Sequence, residues 1–421
     1  VAQKSIKMKT GLQITIDRYA GWFACRVLRL LVIIVGKILR INHKLEKPFK
    51  RIVVCKFKGM GSIIQASALL KSLRLMHPEA EIVFVSTSAN LAVTEGYKTF
   101  INRSLLINDK GLFSLVKSTF SMLLNLWRFK PEVYIDLEVY SNFSSLVCTL
   151  SMAQNRIGFY KSDKDYRSGL YTHLIYYNIK APLSEIYLQT ARLLGSAGIY
   201  TKLTPPDLPV NRIEEICQAL GIKGSYIIIN PNASDLRLER RWTKQAFQEF
   251  IRSFKQRHPG LAIVLIGSAA ERDYVNTVYS PFSEDASVIN VAGKTSVADV
   301  LTLIKGAACI LTNDTGPLHL ALALEKPVVG LFGPCSPDQY GQMEHCIPIY
   351  KNVYCSPCVH EFAVPPCKGN NTCMQLIEVN EVLNACQKAL DDDFPKRSST
   401  IYYTQTTGEK EIPLGSVNNR L

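Results

Sequence analysis

The residues best suited to chemistry in this chain lie in Leu311–Pro337, LTNDTGPLHLALALEKPVVGLFGPCSP. Ile310 and Leu311 end an apolar run, and Asn313, Asp314, Thr315 and Gly316 then make a turn of short polar side chains. Pro317 suits the first turn of a helix that Leu318–Leu324 continues, and Val328–Phe332 is a short apolar strand. A βαβ unit of this kind sets the backbone N–H groups of Thr315 and Gly316 at a helix N-terminus. That is an anion site suited to a diphosphate, and His319, on the first helical turn, can face it.

Two further groups of residues could do chemistry in the first half of the chain. The loop Lys58-Gly59-Met60-Gly61 follows the buried strand Arg51–Phe57, and its glycines Gly59 and Gly61 let a ligand come close to the backbone. Past the strand Val133–Asp136 come the acids Asp136 and Glu138. Asp136 is expected to cap or pair locally and Glu138 to reach a cleft at the strand ends. Lys161, Lys164 and Arg167, in a loop expected to be exposed, could hold an anionic acceptor.

A last cluster is Cys355-x2-Cys358-x8-Cys367-x5-Cys373, with prolines among the four cysteines. Thiolates at four corners can make a structural zinc site, although the spacing is not that of a standard ribbon. Two disulfides or four free thiols remain alternatives. No base is paired with a thiol here, so the loop is not expected to be catalytic. Most of the other cysteines, such as Cys25, Cys55 and Cys148, sit in apolar stretches and read as buried reduced thiols.

The elements that must position these groups can be read from the pattern. A chain of 421 residues is long enough for two domains with extras. Strands alternating with helical stretches predict a doubly wound α/β architecture in both halves. Residues 51–206 and 207–390 form the two domains, residues 1–50 an N-terminal amphipathic helix and linker, and residues 391–421 a polar tail. Helices are expected over Ser62–His77, Phe113–Arg128, Ser184–Gly198, Thr243–His258 and Val297–Gly306, with Ser296 as an N-cap.

The formal net charge of +14 favours anionic partners. No RNA- or DNA-binding motif accompanies it, so nucleic acid is excluded in favour of phosphorylated substrates and an anionic membrane surface. Ile14–Ile41 mixes Arg26, Arg29, Lys37 and Arg40 with Leu, Ile and Val, behind Trp22 and Phe23. Its uninterrupted apolar run, Leu30–Val35, is too short to span a bilayer. A basic helix with aromatic residues at its edge suits the interface of an anionic membrane. No small-residue cleavage site follows it, so a cytoplasmic location is expected.

The segment Asp314–Pro334 resembles glycosyltransferase family 9, the heptosyltransferase family, whose members carry D-T-G-P-x-H-x-A-x-A-x-x-K-P-V-V-x-L-F-G-P. The resemblance extends over roughly Arg51–Leu390. It implies the GT-B fold, with two Rossmann-like domains facing across a cleft. It also implies inverting transfer of a sugar from a nucleotide-diphosphate donor to a saccharide or lipid-linked acceptor, with no cofactor required for catalysis.

Carried over residue by residue, the resemblance makes Pro231–Trp242 the segment that contacts the donor phosphates, through Ser234, Arg240 and Arg241. Glu271 would bind the donor ribose, and Gly293 and Lys294 would lie beside the base. The loop with Gly59 and Gly61 would face the acceptor. At Ser62 many members have an Asp taken as the catalytic base, and serine has no useful basicity near neutral pH. With that acid missing, Glu138 becomes the expected general base, its pKa raised by burial. The competing reading is a catalytically inactive nucleotide-sugar-binding or scaffold protein.

Overall fold

The structure, a computed structural model, describes residues 15–395 apart from 46–47, 162–166, 196, 210–211, 234–236, 342, 360 and 363–364. The first sheet contains β1 (Arg51–Cys55), β2 (Glu81–Thr87), β3 (Arg103–Ile107), β4 (Val133–Asp136), β5 (Asn155–Tyr160) and β6 (His173–Tyr176). The second contains β7 (Tyr226–Asn230), β8 (Ala262–Leu265), β9 (Val288–Asn290), β10 (Cys309–Asn313), β11 (Val328–Phe332) and β12 (Cys346–Tyr350). The strand orders are β3-β2-β1-β4-β5-β6 and β12-β11-β10-β7-β8-β9, with parallel neighbours throughout.

Both sheets are therefore doubly wound in the same sense, as the sequence pattern predicts. Their strands read as continuous apolar runs because helices cover both faces. Ile52 and Val54 of β1 enter one core and Val53 and Cys55 the other. The strand order reverses between β1 and β4 in the first sheet and between β7 and β10 in the second. Loops leaving the carboxyl ends of strands at such a reversal diverge and leave a crevice for ligand. Cys55 is registered opposite Asp136 and Thr312 opposite Asn230, so the loops that follow them start at the same height.

The N-terminal helix runs over Trp22–Leu39, after a π-helical turn at Asp17–Gly21. It is docked at its N-terminal end. The Asp17 carboxylate accepts from the backbone N–H groups of Asn142 and Phe143, at 3.2 and 2.6 Å, at the start of the helix Asn142–Leu150. A carboxylate is favourable there because those N–H groups lack partners within the helix. A Cβ on Gly21 would lie 2.8 Å from that of Asn142, so the approach needs glycine. Cys25 is buried, whereas most of the large apolar side chains further along are exposed.

Several expectations are corrected. The stretch Ser62–His77 is two helices, Met60–Gln65 and Ser67–Met76, with Ala66 between them. Strands β6, β9 and β12 were not anticipated. Taken whole, Asp17–Gly36 is long and apolar enough to cross a membrane by length and composition, with mean hydropathy 1.7.

Candidate active site

On the second sheet, β10 ends at Asn313, whose side chain organises the turn that follows. Its Oδ1 accepts from Trp242 N–H at 3.1 Å, and its Nδ2 donates to the Asn232 carbonyl at 3.0 Å. These bonds hold the segment between β7 and the helix Lys244–Arg257 against the turn Asp314-Thr315. Thr315 is the N-cap of the helix Gly316–Ala323, and its hydroxyl accepts from Asn230 Nδ2 at 2.7 Å.

Asp314 is buried, with Arg240 Nη1 3.4 Å from its Oδ2 and His319 Nε2 3.7 Å from its Oδ1. Asp314 Oδ2 and Arg240 Nε are both buried with no hydrogen-bond partner among the described residues. A buried acceptor and a buried donor left unsaturated beside a helix N-terminus are costly unless a ligand completes them. Burial pushes the His319 imidazole down to about 4, against the pull of Asp314 and with help from Arg240, so the ring is neutral near pH 7.

Across the cleft, the loop after β1 is held by Glu138. Its Oε1 accepts from the N–H groups of Phe57 and Lys58, each at 2.9 Å, and its Oε2 from Lys56 Nζ at 2.8 Å. Burial works to raise the Glu138 pKa, but the Lys56 ammonium and the two N–H groups outweigh it and hold the carboxyl below its usual value. The expected upward shift is therefore reversed. Asp136 is structural: buried, it accepts from the Tyr171 hydroxyl and from Glu138 N–H.

The two sides touch. A Cβ on Gly61 would lie 2.0 Å from His319 Cδ2, and one on Gly316 would lie 2.1 Å from Met60 Cε. A cavity of about 1260 Å³ runs between the domains, lined among others by Gly59, Gly61, Ser62, Glu138, Arg240, Glu271, Asp314, Thr315, Gly316 and His319. Residues 135–367 match glycosyltransferase family 9 (heptosyltransferase). The chain belongs to that family.

Lipopolysaccharide heptosyltransferase 2 of Salmonella typhimurium is 32% identical over 108 residues, 25% of this chain and 30% of that protein. Over that alignment, the chain spans about a third of its relative. Lipooligosaccharide heptosyltransferase 2 of Campylobacter jejuni is 22% identical over 79% of this chain and 95% of that protein. The structure of an ADP-heptose lipopolysaccharide heptosyltransferase II from Escherichia coli superposes with a TM-score of 0.63 at 20% identity, over 82% of this chain and 99% of that one. At that identity the likeness shows the fold, GT-B.

Not every residue carried over from family 9 reaches the cleft. The Arg241 guanidinium stacks on the Tyr274 ring, 3.8 Å from its centroid, and does not line the cavity. Lys294 donates to the Asn290 carbonyl, and Gly293, at φ +75, turns the chain, while Thr295 and Ser296 line the cavity in their place. Glu271 lines it but spends Oε2 on the Ser268 N–H and hydroxyl, both at 2.8 Å. Ser62 lies beside the Tyr187 hydroxyl. Ser234 and Lys164 lie outside the described residues.

Arg167, expected on an exposed loop, is fully buried and donates to the Glu138 carbonyl at 2.6 Å. Lys161 pairs with Glu361 of the other domain at 2.7 Å. The four cysteines of the 355–373 loop are free and close enough for Cys358 and Cys373 to feel the others. Among the described residues no group of three or more ligating side chains is gathered closely enough to hold a metal ion. Cys373 is instead packed beside Gly333 and buried. Sequence reasoning missed Lys56, whose place at the end of β1, where the strand order reverses, was the available signal.

Proposed function

We propose that this chain is an inverting glycosyltransferase. It moves a heptose or hexose-like sugar from a nucleotide-diphosphate donor to a lipid-linked or lipopolysaccharide-type saccharide. The observation that carries this is the unsaturated pair Arg240 Nε and Asp314 Oδ2 beside the Thr315–Gly316 helix N-terminus. The guanidinium and the N–H groups suit the leaving diphosphate, and the carboxylate oxygen suits a sugar hydroxyl. The names of the relatives favour heptose, and an adenosine diphosphate donor, named for the Escherichia coli structure, is the first to try.

Glu138 acts in this reading as a positioning residue. Its bonds to Lys56 and to the backbone at residues 57 and 58 fix the loop that presents Gly59 and Gly61 to the acceptor. No metal takes part: positive groups and N–H donors supply the charge stabilisation. The exposed N-terminal helix attaches the enzyme to the inner face of the bacterial cytoplasmic membrane.

Ser62 favours a second reading, a protein that binds the nucleotide sugar without transferring it. Titration with ADP in the presence of a chelator tests the donor site that both readings share. Binding is expected to survive chelation and to fall in Arg240→Ala. ADP binding that needs a divalent cation, or none at all, contradicts the site.

A further inference from the structure

The helix Leu112–Phe129 carries an apolar ridge that the core does not use. Leu112, Phe113, Val116 and Phe120 are 54, 82, 60 and 55% exposed. At 3.6 residues per turn these positions share one side of the helix. Its core face, with Met122, Leu126 and Phe129, packs on the first sheet in the core that also takes Cys25 of the N-terminal helix and Val147 of the helix Asn142–Leu150, and Leu123, in line with the ridge but about a turn beyond its last residue, is buried there too. The three helices form one layer on one face of that sheet, and Asn142–Leu150 touches both others.

The N-terminal helix has its own exposed apolar ridge, including Phe23, Leu30, Leu31 and Ile38. Both helices reach the cleft. Ala20 and Ala24 on one side and Leu112 and Leu115 on the other line the cavity that holds Glu138 and Thr315.

The charges say what covers this layer. Neither Trp22–Leu39 nor Leu112–Phe129 contains an Asp or Glu. They bring Arg26, Arg29, Lys117 and Arg128, and the second is preceded by the adjacent Asp109 and Lys110, whose charges offset. Asp17, the acid nearest the first, is bound to backbone N–H groups. Apolar side chains fringed by cations fit an anionic bilayer. The same surface would repel a second copy of itself.

We infer that this layer is a two-ridge docking surface for an anionic bilayer, in which Leu112, Phe113, Val116 and Phe120 are a contact of their own beside the N-terminal helix. The cleft that both helices reach then opens onto lipid, where an amphipathic acceptor enters. That last step rests on the lipid-linked acceptor proposed above, whereas the docking surface stands without it.

The test uses the full chain and vesicles of phosphatidylglycerol with phosphatidylethanolamine, in a flotation assay at low salt. The variant F113S/V116S/F120S should bind at least about tenfold more weakly, because the apolar area it would bury in the interface is lost. Phe113→Asp serves as a milder second variant at the most exposed position. ADP affinity, read on the same samples, should stay at the wild-type value, and the melting temperature should fall only modestly through the lost Phe120–Trp127 contact, so that failure of docking is separable from failure of the donor site. Undiminished vesicle binding by either folded variant overturns the inference. So does a solution dimer that Phe113→Asp dissociates while vesicle binding is unchanged, because a second copy would then be the occupant.

Discussion

The Nδ1 of His319 lies 3.0 Å from the side-chain amide of Gln65, and this contact joins the two domains across the cleft. With Nε2 facing the Asp314 carboxylate at 3.7 Å, the network assigns the ring proton to Nε2 and the Nδ1 lone pair to the Gln65 N–H. One imidazole thus ties the donor turn to the helix that follows the acceptor-side loop. Nδ1 is hydrogen-bonded in this arrangement, while Nε2 faces the carboxylate beyond hydrogen-bond distance.

Gly61→Ala tests that registration. The added Cβ would meet the His319 ring at 2.0 Å, and a ring held on both sides cannot move aside cheaply. Turnover should fall at least about tenfold, as expected when reacting groups are misplaced by an ångström, and the melting temperature should fall too, because overpacking of this kind costs the fold about 1–3 kcal/mol. Gly316→Val instead meets the flexible end of Met60. It should leave the fold intact and weaken nucleotide binding by blocking the backbone.

A pH series on stability reads His319 from the other side. Between pH 4 and 6.5 the unfolded ring carries a proton that the folded ring, held down to about 4, does not. The unfolded state binds more protons there, so this contribution is full above pH 6.5 and falls as pH drops toward 4, by at most about 1.4 kcal/mol per unit. Buried carboxyls such as Asp136, raised by burial, act in the opposite sense. The quantity to measure is therefore the difference in slope between wild type and His319→Gln in urea unfolding. Parallel pH profiles would contradict a neutral buried ring.

Glu138→Gln separates a positioning role from a general base. Loss of the carboxylate leaves Lys56 unpaired in a buried site, which costs about 3 kcal/mol. Unfolding midpoints should drop by a corresponding amount, with a loss of activity that accompanies a looser loop. A loss of turnover of ~100-fold or more with unchanged stability and an altered pH–rate profile would restore the base.

Much of this site was legible in the sequence and some was not, for identifiable reasons. The turn Asp314–Gly316 could be placed because strand, polar turn, Pro and helix are local signals. Glu138 could be placed at a strand end, but its partner Lys56 is 82 residues away and sequence gives no measure of that ion pair. The upward pKa expected from burial alone was reversed for that reason. Arg240 and Arg241 are adjacent and chemically equal, and backbone direction alone sends one into the cleft and the other onto Tyr274. Arg167 looked exposed among charged neighbours yet serves backbone carbonyls inside the domain.

That adjacency gives a paired prediction. Arg240→Ala should weaken ADP binding by roughly 1.5–3 kcal/mol, the range for a hydrogen bond to a charged group, or between about tenfold and a hundredfold. Arg241→Ala should leave ADP affinity near wild type and lower the melting temperature modestly through the lost contact with Tyr274. Equal losses of affinity in the two variants, seen by calorimetry, would contradict the placement.

Mass spectrometry of the acceptor detects sugar transfer itself. The full chain is incubated with ADP-heptose and a lipid A-type saccharide in anionic vesicles, with ADP release followed in parallel. The acceptor should become heavier by one heptose, with one ADP released per sugar transferred, and both signals should be lost in Arg240→Ala. Tight donor binding with an unchanged acceptor and no ADP release, across donors and acceptors of this class, would contradict transfer and leave a protein that Ser62 has deprived of chemistry.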